Sequence, residues 1–301
     1  MSEALPSYFT ESITRQYGPE TAAQICAGMQ GKRLVSLRAN RLKTTAEAIS
    51  ALLTEQGIAF SRLSWSQDAF LLPEAAESDL WRLPAYEKGE IYLQSLSSML
   101  PPIALDPQAG ADILDMAAAP GGKTAQMAAM TGNRANITAC EIHKIRAEKL
   151  QYNLQKQGAS RVNVMVRDAR ALEDFFRFDQ ILLDAPCSGS GTMLAAVPAT
   201  TRAFSEKLVR SSAAIQLQLL KKALTLLKSG HSMVYSTCSI LEAENENVVR
   251  AALKGTKAEI VPIQFDGMDA LPQLPVSLPG ALCIRPTAEY EGFFMAKIKK
   301  P

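Results

Sequence analysis

The stretch from about residue 110 onward limits the fold most, because short apolar runs alternate there with helical segments. "ADILDMA" reads as a strand that enters "AAPGGKTAQMAAM", a glycine turn into a helix. "NITACEI" is the next strand, followed by a long helix over 143–157, and "VNVMVRD" and "FDQILLDAP" are two more strands. A helix near 205–228 leads into the strand "HSMVYSTC" and a helix over 242–254, and "AEIVPI", "ALCIRP" and "GFFMAKI" are late strands. Strands that alternate with helices need crossovers, so the pattern predicts an α/β fold with a parallel, doubly wound sheet. Ligands of such sheets sit beyond the carboxyl ends of the strands, which makes the residues there the functional candidates.

Earlier residues keep a different rhythm. Residues 5–30 read as one or two helices broken near Gly18-Pro19, and "LVSLRAN" as a strand. "TTAEAISALLTEQG" reads as a helix capped by Thr45 and stopped at Gly57. "AFSRLSW" and "AFLLPE" are two more strands. This β-α-β-β order predicts a small N-terminal α+β domain, and the turn-rich "LPAYEKGE" puts its end near residue 90, leaving 91–301 to the doubly wound domain. There is no internal repeat.

With 301 residues and 47% hydrophobic content the chain can bury a large core, and its formal charge of +2 neither demands nor excludes nucleic acid. The five cysteines show no CxxC or Cys/His ligand spacing, so no metal is expected, and a sparse, odd set suggests reduced thiols. The start of the sequence lacks a basic segment followed by an apolar core, and no apolar run reaches membrane-spanning length. These features lead us to expect a soluble cytoplasmic protein.

The first strand of the second domain ends at Asp115 and enters "AAAPGGKT", where Gly121 and Gly122 let the backbone approach a ligand. The helix that follows offers free N–H groups. Glu141, at the end of the second strand and about twenty residues past the glycines, can bind both ribose hydroxyls. Asp168, at the end of the third, can reach an adenine amino group. Each has a plainer role open to it: Glu141 as a helix-capping acid, Asp168 as a turn former before Arg170. The turn reads neither GxGxxG nor GxxxxGK[ST], which disfavours a diphosphate and favours an adenosyl ligand without phosphates, S-adenosylmethionine. Lys123 opens the helix where its dipole disfavours a cation, which points to a specific task.

Strand four ends in Asp184-Ala185-Pro186-Cys187, and strand five in Ser236-Thr237-Cys238-Ser239. In an open sheet built outward from its first strand these two are neighbours, so both thiols are expected at one edge, facing the cofactor's methyl group. A lone cysteine in an apolar strand is ordinarily buried and inert, which suits Cys26, Cys140 and Cys283. A thiol beside a methyl donor suits methylation at C5 of a pyrimidine. Adding the thiolate to C6 makes C5 an enamine carbon able to attack the methyl group. Asp184 is placed to bind N3 and the exocyclic amine, and a base must later remove the C5 proton so that the thiol can leave. Spacing does not say which cysteine attacks.

"LRANRLKTT", "KGEIYLQSLSSML", "LDMAAAPGGKT", "LLDAPCSGSGTM", "VYSTCSILEAENENVV" and "EGFFMAKI" together resemble the RsmB/NOP2/Sun group of RNA cytosine-C5 methyltransferases, from about residue 35 to the last residue. The resemblance implies a Rossmann-like class I methyltransferase fold. It implies Cys238 as nucleophile and Cys187 as the thiol that helps release product. DNA cytosine methyltransferases attack from their Pro-Cys motif instead. It further implies a cofactor site lined by Ala117, Ala118, Ala119, Pro120, Gly121, Gly122, Lys123, Glu141, Arg146, Asp168 and Asp184. The sequence departs from the group at Ala117, where a Cys is frequent, and at "LAAVPATTRAF", where the group often carries Arg-Arg and an Asn-Pro-Asp-like stretch.

RNA is the expected partner, with rRNA ahead of tRNA, and the expected state is a monomer without membrane or metal. Basic residues gather in "LRANRLK" and at Lys144, Arg146, Lys149, Lys156, Arg161, Arg167 and Arg170. Such runs ordinarily form a solvated face, and some members here can hold phosphates without reading sequence. Trp65, Trp81 and Tyr92 are expected in the core rather than stacked on bases. No NusB-like helical domain and no long C-terminal module is seen, so target choice is expected to rest on residues 1–90, read as an RNA-binding domain, or on partners. A non-catalytic RNA-binding factor with the same fold is disfavoured by the intact Asp184, Cys187, Cys238 and glycine turn. An amine methyltransferase is disfavoured because "DAPCSG" is not an Asn/Asp-Pro-Pro-aromatic turn.

Overall fold

A computed structural model describes residues 5–301. The chain runs through α1 (Ser7–Gly28), β1 (Val35–Ala39), α2 (Ala46–Glu55), β2 (Ser61–Leu63), β3 (Ser66–Leu72), α3 (Glu77–Trp81), α4 (Pro84–Glu87), β4 (Ile91–Leu93) and α5 (Leu96–Leu105). It continues with β5 (Asp112–Asp115), α6 (Gly122–Met130), β6 (Asn136–Glu141), α7 (Lys144–Gln157), β7 (Val162–Val166), β8 (Phe178–Asp184), α8 (Pro198–Thr201) and α9 (Glu206–Leu226). It ends with β9 (Leu227–Thr237), α10 (Glu246–Leu253), β10 (Glu259–Val261), β11 (Gln273–Leu274), β12 (Leu282–Ile284) and β13 (Phe293–Lys299).

The large sheet has the order β11-β12-β13-β9-β8-β5-β6-β7, with β10 paired to the far half of β13. From β7 to β9 all neighbours are parallel, and β13 lies antiparallel to β9. This is the expected doubly wound, Rossmann-like sheet. The chain builds from β5 toward β7 and then returns to β8 on the other side of β5, so the switch point lies between the ends of β5 and β8. Neighbouring residues on one strand face opposite layers. Ile181 and Leu183 of β8 pack with α1, α9 and α10, and Leu182 packs with α5, α6 and α7. That two-sided burial is why β8 is an unbroken apolar run.

The N-terminal α+β module is a four-stranded antiparallel sheet, β2-β3-β1-β4, with its own apolar cluster under α2, α3 and α4. Thr45 caps α2 by accepting from the Ala48 N–H, and Gly18, at φ 81°, kinks α1. The boundary drawn near residue 90 falls inside this sheet, because β4 pairs with β1 through Leu93. In the opposite sense α1 packs on the large domain, with Phe9, Ile13 and Ile25 in one cluster with Leu220 and Tyr235. The helix expected over 242–254 begins only at Glu246, because Glu244 and Asn245 turn inward to hold the loop after β9. Helix α5, with Pro101 and Pro102 inside it, is absent from the sequence-based expectation. Of the aromatics expected in the core, Trp65 is buried and donates to the Tyr290 hydroxyl, whereas Trp81 is 50% exposed.

Candidate active site

The turn after β5 is built by residues 117–123. Gly121 has φ +109° and starts α6, a backbone state that favours glycine. A Cβ on Gly121 would lie 3.0 Å from Leu150 Cδ1, and one on Gly122 would lie 2.8 Å from Tyr92 Cε1. The space a side chain would take at these glycines is therefore filled by protein. At Gly122 the neighbour comes from the N-terminal module.

Asp115 and Asp184 end the two strands that flank the switch point. Lys123 reaches Asp184 from the first turn of α6 and feels the charge of Asp115. Its ammonium lies 2.7 Å from Asp184 Oδ2 and donates to Ser98 Oγ at 2.7 Å. Burial pulls this ammonium down, but Asp184 and Asp115 outweigh burial and hold it above its usual value. Ser236 of β9 donates to the other oxygen of Asp184 at 2.8 Å. Asp115 is fully buried; Oδ2 accepts from Thr124 at 2.6 Å, and Oδ1 has no hydrogen-bond partner among the described residues. Burial pushes the Asp115 carboxyl up to about 6 against the opposing Thr124 hydrogen bond and Lys123 charge.

Two cavities meet at Asp184. One, about 170 Å³, is lined by Tyr92, Gln94, Ser98, Asp115, Ala117 to Pro120, Gly122, Lys123 and Asp184. The other, about 460 Å³, is lined by Ala117, Ala119, Glu141, Arg146, Asp168, Arg170, Asp184, Cys187 and Cys238, with apolar walls from Ile142, Ala169, Pro186, Ile215 and Leu219. Glu141 accepts the His143 N–H at 2.9 Å and faces Arg146 at 3.5 Å, so it caps the entrance of α7 as well as lining the cavity. Arg146 also donates to the Ala119 carbonyl at 3.1 Å. Asp168 accepts from the Arg170 backbone and guanidinium, which holds its carboxyl below the usual range.

Parallel pairing of β8 with β9 sets Asp184 opposite Ser236. The loops that follow bring Cys187 Sγ and Cys238 Sγ to 3.0 Å. A disulfide would need about 2.05 Å, so these are two thiols in contact. The hydrogen bond with Cys238, and then burial, push Cys187 well above the usual thiol value. The loops also touch through backbone, since Gly191 N–H donates to the Cys238 carbonyl at 2.9 Å. A Cβ on Gly191 would sit 2.0 Å from the Gly292 carbonyl oxygen, so only glycine fits there. The other cysteines lie apart: Cys140 is buried and pushed up to about 12, Cys283 is buried and also raised, and burial raises Cys26.

Of the catalytic and cofactor-binding candidates drawn from sequence, all but Gly121 line one or both cavities. Gly121 turns the chain instead. Sequence reading missed Ser98, Ser236 and Gln94 and gave no role to Glu244 or Gln216, and Tyr92, expected in the core, instead lines the smaller cavity because β4 runs along its edge. The quoted "KGEIYLQSLSSML" held Tyr92, Gln94 and Ser98, but no periodicity marks which of its side chains face inward. Among the described residues no cluster of side chains suits a metal ion, and no helix is long and apolar enough to cross a membrane.

Residues 102–299 match the model of the family described as "16S rRNA methyltransferase RsmB/F", and residues 5–78 match its "RsmF/B-like, ferredoxin-like domain". Ribosomal RNA small subunit methyltransferase F of Shewanella loihica is 36% identical over 276 residues, covering 88% of this chain and 56% of that protein. Its counterpart in Shewanella amazonensis is 33% identical, covering 97% of this chain and 64% of that protein. The chain thus spans little more than half the length of these relatives. Among solved structures, a methyltransferase homolog from Pyrococcus horikoshii is 31% identical with TM-score 0.82, covering 99% of this chain and 100% of that one. NSun6 from Pyrococcus horikoshii shares the fold at TM-score 0.89 and 22% identity, covering 100% of this chain and 99% of that one. The first match covers more than half of the chain, from within α5 to the end of β13, and takes in every residue that lines the larger cavity; on that ground the chain belongs to the RsmB/F family of 16S rRNA methyltransferases.

Proposed function

We propose that this protein transfers a methyl group from S-adenosylmethionine to C5 of a cytosine in ribosomal RNA through a covalent cysteine adduct. The observation that carries this reading is the pair of thiols in contact at the ends of two adjacent parallel strands, in one cavity with Asp184, Glu141 and Asp168. The donor set of that cavity suits an adenosyl group. It has two carboxylates at strand ends for hydroxyl and amino groups, apolar walls for a ring, and no glycine-rich phosphate cradle. Glu141 is assigned to the ribose, Asp168 to the adenine edge, and residues 117–123 to the turn beneath the cofactor. When bound, S-adenosylmethionine supplies an electrophilic methyl group.

Cys238 forms a bond to C6 of the base, which moves electron density to C5. Asp184, fixed by Lys123 and Ser236, binds the N3 and amine edge. After transfer, a base removes the C5 proton, the C5–C6 double bond re-forms and the bond to Cys238 breaks. Cys187, in contact with Cys238, assists that release. The order of the two thiols follows the family resemblance. The rRNA assignment follows the named relatives.

Single-turnover assays on 16S rRNA with mapping of 5-methylcytosine test the reading. Cys238→Ala is expected to abolish both methylation and adduct, and Cys187→Ala to accumulate a covalent protein–RNA complex. An adduct in Cys238→Ala would reverse the order of the thiols. Wild-type protein that modifies no cytosine would remove the reading altogether.

A further inference from the structure

Ser188 and Ser239 each follow one of the two cysteines, and both reach the same buried carboxylate. Glu244 has 0% exposure. Its Oε1 accepts the Ser188 backbone N–H at 2.7 Å, and its Oε2 accepts the hydroxyls of Ser188 at 2.5 Å and Ser239 at 2.7 Å. The side-chain amide of Gln216 approaches Oε1 at 3.5 Å and donates to the Pro186 carbonyl at 2.9 Å. All these donors are neutral, and burial raises the Glu244 pKa. A buried carboxylate satisfied only by neutral donors is costly. It is also the only kind of side chain whose two oxygens accept donors from four directions. A carboxamide has one acceptor oxygen and brings two donors of its own.

The glutamate therefore does something here that a cheaper side chain does not. We propose that Glu244 is a positioning residue for methyl transfer, tying the loops after β8 and β9 to one carboxylate so that the Cys187 and Cys238 thiols stay in contact. This inference rests on the cytosine methyltransferase reading for its catalytic consequence, but not for its geometry. Other ties survive the loss of Glu244: the Ser190 and Ser239 hydroxyls lie 2.8 Å apart, and the Gly191 N–H still holds the Cys238 carbonyl. The thiols should separate while the sheet stays folded. The Glu244 charge also lies near Cys187 and disfavours its thiolate.

The test is Glu244→Gln, read three ways. Diamide cross-linking of Cys187 to Cys238 should slow at least tenfold, and the pH profile of Cys187 alkylation by iodoacetamide should move to lower pH. Turnover should fall about 100-fold, the scale of an ångström of misplacement, with KM for S-adenosylmethionine little changed. A folded Glu244→Gln with wild-type cross-linking and turnover would overturn the proposal. If that variant does not fold, Ser239→Ala, which removes one donor and keeps the carboxylate, should slow cross-linking in the same direction, and wild-type behaviour there would overturn it equally. If wild-type protein methylates no cytosine, the functional reading fails, and cross-linking and alkylation still decide the role of Glu244.

Discussion

Lys123 occupies a first helical turn, where the dipole disfavours a cation, and still lies between Asp184 and Ser98 because two strand-end carboxylates meet there. Removing its charge would leave Asp115 and Asp184 side by side with no cation. Lys123→Met is expected to cost about 2 kcal/mol, less than breaking a fully buried pair from one side because the two side chains stay partly exposed, and to reduce methyl transfer with it. Denaturant unfolding and single-turnover assays check this. Asp115 makes a separate prediction. Its carboxyl takes a proton near about 6 in the folded chain and near the ordinary 3.8 when unfolded. Folding therefore binds a proton between those values. The contribution to stability is present below about pH 4 and is lost as pH rises through 6, about 3 kcal/mol in all. Asp115→Asn should flatten the dependence of Tm on pH across that window, and an unchanged slope in calorimetry would show that Asp115 does not titrate there. The order of strand ends made both carboxylates legible in the sequence. Their distance from Lys123 was not, since it depends on how β5 and β8 pair.

Elements differ in how far local signals decide them. Helix α2 carries its own start and stop, and both hold: Thr45 Oγ1 accepts from Ala48 and the helix ends two residues before Gly57. Thr45→Ala should cost about 1 kcal/mol in chemical denaturation and leave turnover unchanged, because the cap is exposed and remote from the cavities. The loop after β8 is the opposite case. "GSG" looks like freedom for a bound nucleotide, yet Gly191 is glycine because the Gly292 backbone lies where its Cβ would be. Gly191→Ala must push apart the loops after β8 and β9 and the start of β13. It should destabilise the fold by more than 1 kcal/mol and slow Cys187–Cys238 cross-linking, both measurable on purified protein. Helix α5 escaped sequence reading because paired prolines argue against a helix, but the packing of Leu96, Met99 and Leu100 against β13, β8 and β9 overrides that preference. Helix α10 starts late for a related reason. Glu244 and Asn245 spend their side chains on the thiol loops, and the Glu242 N–H donates to Gln16 Oε1 of α1.

At the scale of the whole molecule, the two sheets are not independent bodies joined by a linker. Hydrophobic periodicity marks which face of a segment is buried but not what buries it, so α1, read from sequence as part of the first domain, instead completes the core of the large sheet. The coupling in the other direction is polar. Arg38 of β1 is 3% exposed and leaves its own sheet: Nε donates to Gln94 Oε1 at 3.2 Å, and one terminal nitrogen donates to Gln157 Oε1 at 3.1 Å and approaches the Gly122 carbonyl at 3.5 Å. Burial lowers this guanidinium to about 10, with Asp68 opposing the shift. Asn40 adds a bond from its amide to the Gln157 carbonyl at 2.7 Å. One buried cation thus joins the N-terminal sheet to the glycine turn and to the last turn of α7, which makes the Tyr92–Gln94 wall of the smaller cavity depend on domain docking. Arg38→Met keeps the apolar stem and removes every donor, leaving Gln94 and Gln157 with unmet acceptors. Calorimetry on the variant should split one cooperative transition into two, with the module under α2 melting first. Methyl transfer should show a raised KM for RNA and a nearly unchanged KM for S-adenosylmethionine, because the larger cavity draws none of its lining from that module. A single transition at the wild-type temperature would mean that the apolar contacts between the modules carry the docking without Arg38.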